Sequence, residues 1–301
     1  MQGSRDSRAW ARWMLVLLAW AAWAAPLQAS PLLLWEVSGA RAPIWLFGSV
    51  HLCQATCFPL PKAVENRFAK AEVLAVELDV TRPDMAFAMS GLSEPDGEPL
   101  SQALGREDWA RLRRHVPASS FPDAALDRLN PTVAGVLVSV SVATRIGLSP
   151  TYGVDMHFIQ RAQREGKSLV ELETVERQIQ ALNSGDPEES LGGLRALLRA
   201  ADDGSLQRSL QETVAAWRAG DAGRIARVVQ ESEKMDAGNS RLYRDVFDRR
   251  NEEMSERIAE LAREGKPVLV VVGSGHLTGR SAIPTLLARK GYRVRQLGTE
   301  D

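Results

Sequence analysis

The sequence predicts an α/β fold, α+β in its looser description. A central mixed sheet carries a large helical insertion, and the site lies at the strands' carboxyl ends. Three observations carry this expectation. Apolar runs that end in glycine lie near both ends of the chain, and helix-glycine-strand units recur. Residues 174–263 have helical periodicity and no convincing strand.

The elements follow in order. MQGSRDSRAWAR is basic, WMLVLLAWAAWAA is apolar but short for a span, and PLQAS supplies small residues. This pattern reads as a signal peptide over 1–29, cleaved after Ala29, with an uncleaved anchor as its rival. A periplasmic or secreted location follows, and 30–301 is expected to form one domain. LLLWEVSG and APIWLFGS flank a Gly-Ala-Arg turn as a hairpin. PLPKAVENRFAKA then reads as a helix and EVLAVELDV (72–80) as a strand. A helix is expected around SQALGREDWARLRRHV. PTVAGVLVSVSVATRIGL is broken by Ser, Thr and Arg145, which suits a buried helix better than a membrane span. RAQREGKSLVELE and LAREGKPVLVVVG each predict a helix, a glycine cap and a strand, and SAIPTLLARKGYRVRQL repeats the order.

The 301 residues carry a formal net charge of −1, which argues against a nucleic-acid partner. Cys53 and Cys57, the two cysteines, lie in HLCQATC. In an oxidising compartment a short-loop disulfide is the leading reading. H-x-C-x-x-x-C as a soft-metal site, or Cys57 as a small buried apolar residue, are the others.

Two of the four histidines end nearly the same phrase: GSVHL with His51 and GSGHL with His276. Each follows an apolar strand, and the glycine permits a sharp exit and close backbone approach. In open α/β sheets such exits are where ligands collect. On EVLAVELDV the two-residue period puts Glu77 and Asp79 on one face, and Glu173 ends SLVELE in the same way. A carboxylate in an apolar strand is costly unless it is paired or ligates something. Two histidines and a carboxylate suit a divalent cation with an open position. They suit equally a metal-free site with a histidine base oriented by Glu, and simple strand capping is the plain alternative. Asp155 in YGVDMHF reads first as a helix N-cap. His157 reads as a packing residue, His115 as a charge complement at a helix end, and Arg249 and Asn251 as parts of a charged helix.

These phrases resemble the TraB/GumN family, to which the Tiki metalloproteases are related. The likeness runs through LFGSVHL with its PLP, VELD, YGVDMHFIQRAQREGKSLVELETVERQ, AWRAGD, DRRNEEM, VVVGSGHLTG and GYRV. The resemblance implies His51 and His276 as the paired motif histidines, Glu77 as the acid between them and Arg249 as the motif arginine. Asp155 matches the family's G-[IVL]-[DE] phrase. It further implies an α/β fold shared with erythromycin-esterase-like and haem-binding ChaN-like proteins, and divalent-metal-dependent peptidase activity.

The leading expectation is therefore a periplasmic, peptidase-like hydrolase. Manganese, cobalt or zinc would be held by His51, Glu77 and His276, with Arg249 steadying the developing charge and a peptide or small molecule as substrate. Asp155, Glu173 and Asn251 are secondary candidates. A metal-free esterase-type hydrolase and a non-enzymatic haem-, metal- or peptide-binding protein are the alternatives.

Overall fold

A computed structural model describes residues 30–83, 98–235 and 240–301. The signal-peptide expectation over 1–29 lies outside these residues. Six strands form one mixed sheet: β1 (Pro31–Ser38), β2 (Ile44–Ser49), β3 (Val73–Val76), β4 (Ser168–Glu171), β5 (Val268–Gly273) and β6 (Arg293–Gly298). Their spatial order is β4-β3-β5-β2-β1-β6. β1 and β2 make the expected hairpin, and β6 adds antiparallel to β1. β2, β5, β3 and β4 run parallel to one another.

That order explains why distant phrases meet. β5 inserts between β2 and β3, so three parallel strands that are remote in sequence end side by side. Their carboxyl ends carry GSVHL, the VELD acid and GSGHL. Every residue of β2, β3 and β5 is buried, as in a parallel sheet covered on both faces.

The helices named here are α1 (Lys62–Lys70), α2 (Leu100–His115), α3 (Pro131–Arg145), α4 (Val154–Glu165), α5 (Val175–Leu182), α6 (Pro187–Asp202), α7 (Ser205–Arg218), α8 (Ala222–Met235), α9 (Arg250–Glu264) and α10 (Ile283–Arg289). Gly166 (φ 66°), Gly265 (φ 79°) and Gly291 (φ 96°) take left-handed conformations in the three helix-glycine-strand units. The described part of 174–263 contains helices and no strand. β3 ends at Val76 rather than Val80, so Glu77 and Asp79 lie beyond the ladder. Asp79 turns away from the sheet end, its carboxylate accepting from Thr81 and Gln163.

The main core packs helices against the sheet, and Phe47, Phe68 and Phe158 meet near its centre with ring centroids 5.0–6.0 Å apart. A second apolar cluster joins α2, α3 and α6 through Leu112, Val138 and Leu198. Cys53 and Cys57 are joined by a disulfide. The loop holding them is tied to the segment before α4, where Cys53 and Ser149 exchange backbone hydrogen bonds.

Candidate active site

GSVHL and GSGHL leave adjacent parallel strands, with Ser49 paired in register to Gly273. Side chains would spoil both glycine positions. A methyl group added at Gly48 would press on the Ser274 backbone at 3.2 Å. One added at Gly273 would lie 3.3 Å from Glu77 Oε1, 3.4 Å from His51 Nε2 and 3.6 Å from His276 Cδ2. The two imidazoles and the carboxylate therefore crowd one point above β5. From the other side, the buried Trp217 indole of AWRAGD donates to the Gly48 carbonyl at 2.7 Å and steadies the first phrase.

Each imidazole is fixed through Nδ1. His276 Nδ1 lies 2.6 Å from Asn251 Oδ1, while Asn251 Nδ2 donates to the Ser281 carbonyl at 2.9 Å. Because the amide nitrogen is committed as a donor, Oδ1 must accept, which places the proton on His276 Nδ1 and leaves Nε2 bare. His51 Nδ1 lies 3.2 Å from Asp155 Oδ2, which turns its Nε2 toward Gly273. Outer hydrogen bonds of this kind orient catalytic or metal-ligating histidines.

Glu77 is buried and fully engaged. Gly273 N–H donates to Oε1 at 2.6 Å, and Arg250 Nη2 donates to Oε2 at 2.8 Å. Arg250 also grips Glu173 through Nε at 2.7 Å and Nη2 at 2.6 Å. The spatial order of the strands thus becomes a chain of charge: Glu173, Arg250, Glu77, with His276 Nε2 3.7 Å from Glu77 Oε2.

This arrangement drives the ionisations apart. For His276, burial outweighs the attraction of Glu77, and Arg250 and His51 add repulsion, so its pKa falls to about 4. His51 also loses hydration, but the Asp155 carboxylate and its hydrogen bond, with help from Glu77, lift it to about 9. Its side chain is 62% exposed, so solvent tempers that attraction and its direction is what bears on chemistry. Burial would raise Glu77, but His276, Arg250 and His51 together with the Gly273 hydrogen bond hold it near 2. Glu173 is raised by burial, opposed by Arg250.

The geometry reassigns two expected roles. Arg249 is 64% exposed and pairs with Asp245 at 2.8 Å, so the arginine that enters the site is its neighbour Arg250. The physical reason is the π turn over Arg244–Arg249, whose wider winding resets the phase of the helix that follows. Asp155 caps nothing: Gly153 occupies the N-cap of α4, and the Asp155 carboxylate faces His51. Glu173 and Asn251, the secondary candidates, both touch the central groups. His157 packs between Phe58 and Phe158, and His115 bonds Asp202 and Arg145 far from the site. Ser49, inside GSVHL, carried no sequence signal beyond its place in the phrase, yet it lines the cleft beside His51.

Whether the residues suit a metal turns on donor type and spacing. A bare Nε2 facing a carboxylate is a poor pairing unless a cation or a water proton lies with them, so the donor chemistry of His51, Glu77 and His276 fits a divalent ion. As the side chains stand, no group of three or more His, Cys, Asp or Glu among the described residues is spaced to hold one. The fit is therefore in kind, and closing the set requires side-chain movement.

The TraB/PrgY/gumN family model matches residues 33–296. Metalloprotease TIKI1 of Homo sapiens is 25% identical over 309 residues, covering 87% of this chain and 61% of the relative. Metalloprotease TIKI2 of Danio rerio is 25% identical over 313 residues, covering 87% of this chain and 60% of the relative. YbaP of Escherichia coli (strain K12) is 29% identical over 138 residues, covering 46% of this chain and 50% of the relative. The chain thus spans between half and about three fifths of the length of these relatives. No solved structure matches it significantly.

Proposed function

The chain belongs to the TraB/PrgY/gumN family, and from that membership together with the site geometry we propose that it is a metal-dependent, peptidase-like hydrolase working outside the cytoplasm. The observation that carries the reading is the convergence on Gly273 of two oriented imidazoles and an ionised carboxylate.

His51 and His276, through Nε2, and Glu77 would hold the ion, with manganese, cobalt or zinc as candidates. An ion of this kind supplies a Lewis acid and a more acidic water. The chain's own residues set the stage. Asp155 and Asn251 aim the two imidazoles. Arg250 and the Gly273 amide keep Glu77 ionised and pointed inward, and Glu173 anchors Arg250 from behind.

A metal-free hydrolase is the second reading, favoured by the separation of the two histidine pKa values and by the full engagement of Glu77. Neutral His276 would take a proton from water through Nε2, and charged His51 would face the developing oxyanion. Export is part of the proposal: a Cys53–Cys57 disulfide suits an oxidising compartment. No helix among the described residues is long and apolar enough to cross a membrane.

Elemental analysis of the purified mature protein tests the metal. We expect a divalent ion in wild type and its loss in both His51→Ala and His276→Ala, with circular dichroism unchanged. Undiminished metal in either variant rejects this ligand set, and hydrolysis that survives exhaustive chelation selects the metal-free reading.

A further inference from the structure

Beside His51 lies a cavity of about 360 Å³, at the small end of ligand pockets. Its apolar wall is made by Val76 and Val271 of the sheet with Leu78, Val80, Pro150 and Met156. Val80 is 42% exposed. A single exposed valine is ordinary, but this one borders a hollow that five other apolar side chains also line.

Two residues of the same lining each carry a buried side-chain oxygen without a partner. Ser49 Oγ and Asp155 Oδ1 are buried without a hydrogen bond, although Ser49 is only 1% exposed and Asp155 uses its other oxygen on His51. Buried polar groups of this kind are rarely left unmatched. The charged groups of the wall, by contrast, are already paired, His51 with Asp155 and Glu77 with Arg250. An anionic substrate side chain entering here would lose water and gain no counter-ion. Gln178, the remaining polar lining residue, is uncharged.

We propose that this cavity receives an uncharged apolar side chain of the substrate, in the Val, Leu, Met or Phe class. That residue adjoins the bond to be cut. The inference rests on the hydrolase reading for the words "to be cut", and its test separates the two.

Binding of N-acetyl amino-acid amides to the full mature chain, followed by titration calorimetry, is the direct probe. The leucine and phenylalanine amides should bind at least tenfold more tightly than the aspartate and lysine amides. Val80→Asp and Met156→Lys should abolish that preference while melting temperature stays near wild type. Equal affinity across the four amides, or no binding by any, overturns the inference, as does a preference that survives both charged substitutions. A parallel cleavage panel of peptides varied at one residue distinguishes the failures. Apolar-selective binding without cleavage of any peptide removes the hydrolase reading and leaves the pocket. Cleavage indifferent to the side chain removes the pocket and leaves the hydrolase.

Discussion

GSVHL leaves β2 into an open loop, and its histidine side chain is 62% exposed beside a carboxylate. GSGHL leaves β5 into a tight 3₁₀ turn, and its histidine is 5% exposed beside an amide. Phe247 packs on the second ring at 5.4 Å, and Asp155 holds the first at 3.2 Å. Nearly the same phrase on neighbouring strands thus gives one imidazole whose pKa is raised and one whose pKa is lowered. The repeat dictates position, because both phrases exit at one end of the sheet. Chemistry is dictated by what packs against each ring, and that comes from α4 in one case and α9 in the other.

The comparison breaks most sharply when either ring is removed. His51→Ala and His276→Ala should each lower hydrolysis by about 10²–10⁴-fold, measured on whichever substrate is cleaved. A near-neutral result for one would mean that a single phrase carries the site. Next comes the anchor behind them. Arg250→Met leaves Glu77 and Glu173 buried without their shared cation and should cost ~3–5 kcal/mol in chemical denaturation.

Exchanging the partners sharpens the contrast. Asn251→Asp gives His276 a carboxylate like that of His51, and its pKa should climb well above about 4. Asp155→Asn should bring His51 down from about 9. Activity at neutral pH should fall about 10–100-fold in each, as for other outer partners of oriented histidines. Rings whose titrations ignore the exchange would show that burial alone divides the pair.

Stability should follow pH with a definite sign. His276 in the folded chain binds its proton less readily than an ordinary histidine near 6.5, so stability drops as pH falls from about 6.5 toward 4. Glu77, held near 2 instead of 4.5, adds a further loss between those values. His51 acts oppositely: its contribution is complete below about 6.5 and fades as pH rises through 9. Denaturation midpoints across pH should therefore peak near neutrality, with the acid limb reduced in His276→Ala and the alkaline limb removed in His51→Ala. The smallest effect belongs to Arg249→Ala, about 0.5 kcal/mol or less, because its ion pair is exposed.

What the sequence disclosed was whatever depends on neighbours along the chain. Apolar runs, glycine caps and the strand-glycine-histidine phrases are local patterns, and they located the sheet, His51, Glu77 and His276. Partners chosen by tertiary packing were less visible. Arg249 and Arg250 are adjacent letters, and only the π turn before α9 decides which one faces Glu77. The plain reading of Asp155 as a cap failed because the backbone turns into α4 two residues earlier, at Gly153. Ser49 and Trp217 act through atoms that meet across strands and helices, with no periodicity to announce them. β3 ended early because its ladder to β4 and β5 closes at Val76, so the acids beyond it are governed by loop contacts and not by strand alternation.

Histidine-selective ¹⁵N NMR on the chelator-treated mature chain tests the division of the two rings most directly. His276 should stay neutral, protonated at Nδ1 with bare Nε2, from pH 8 down to pH 5, while His51 should be cationic at pH 7. Two rings that titrate together near 6.5, or a His276 carrying its proton on Nε2, would contradict it.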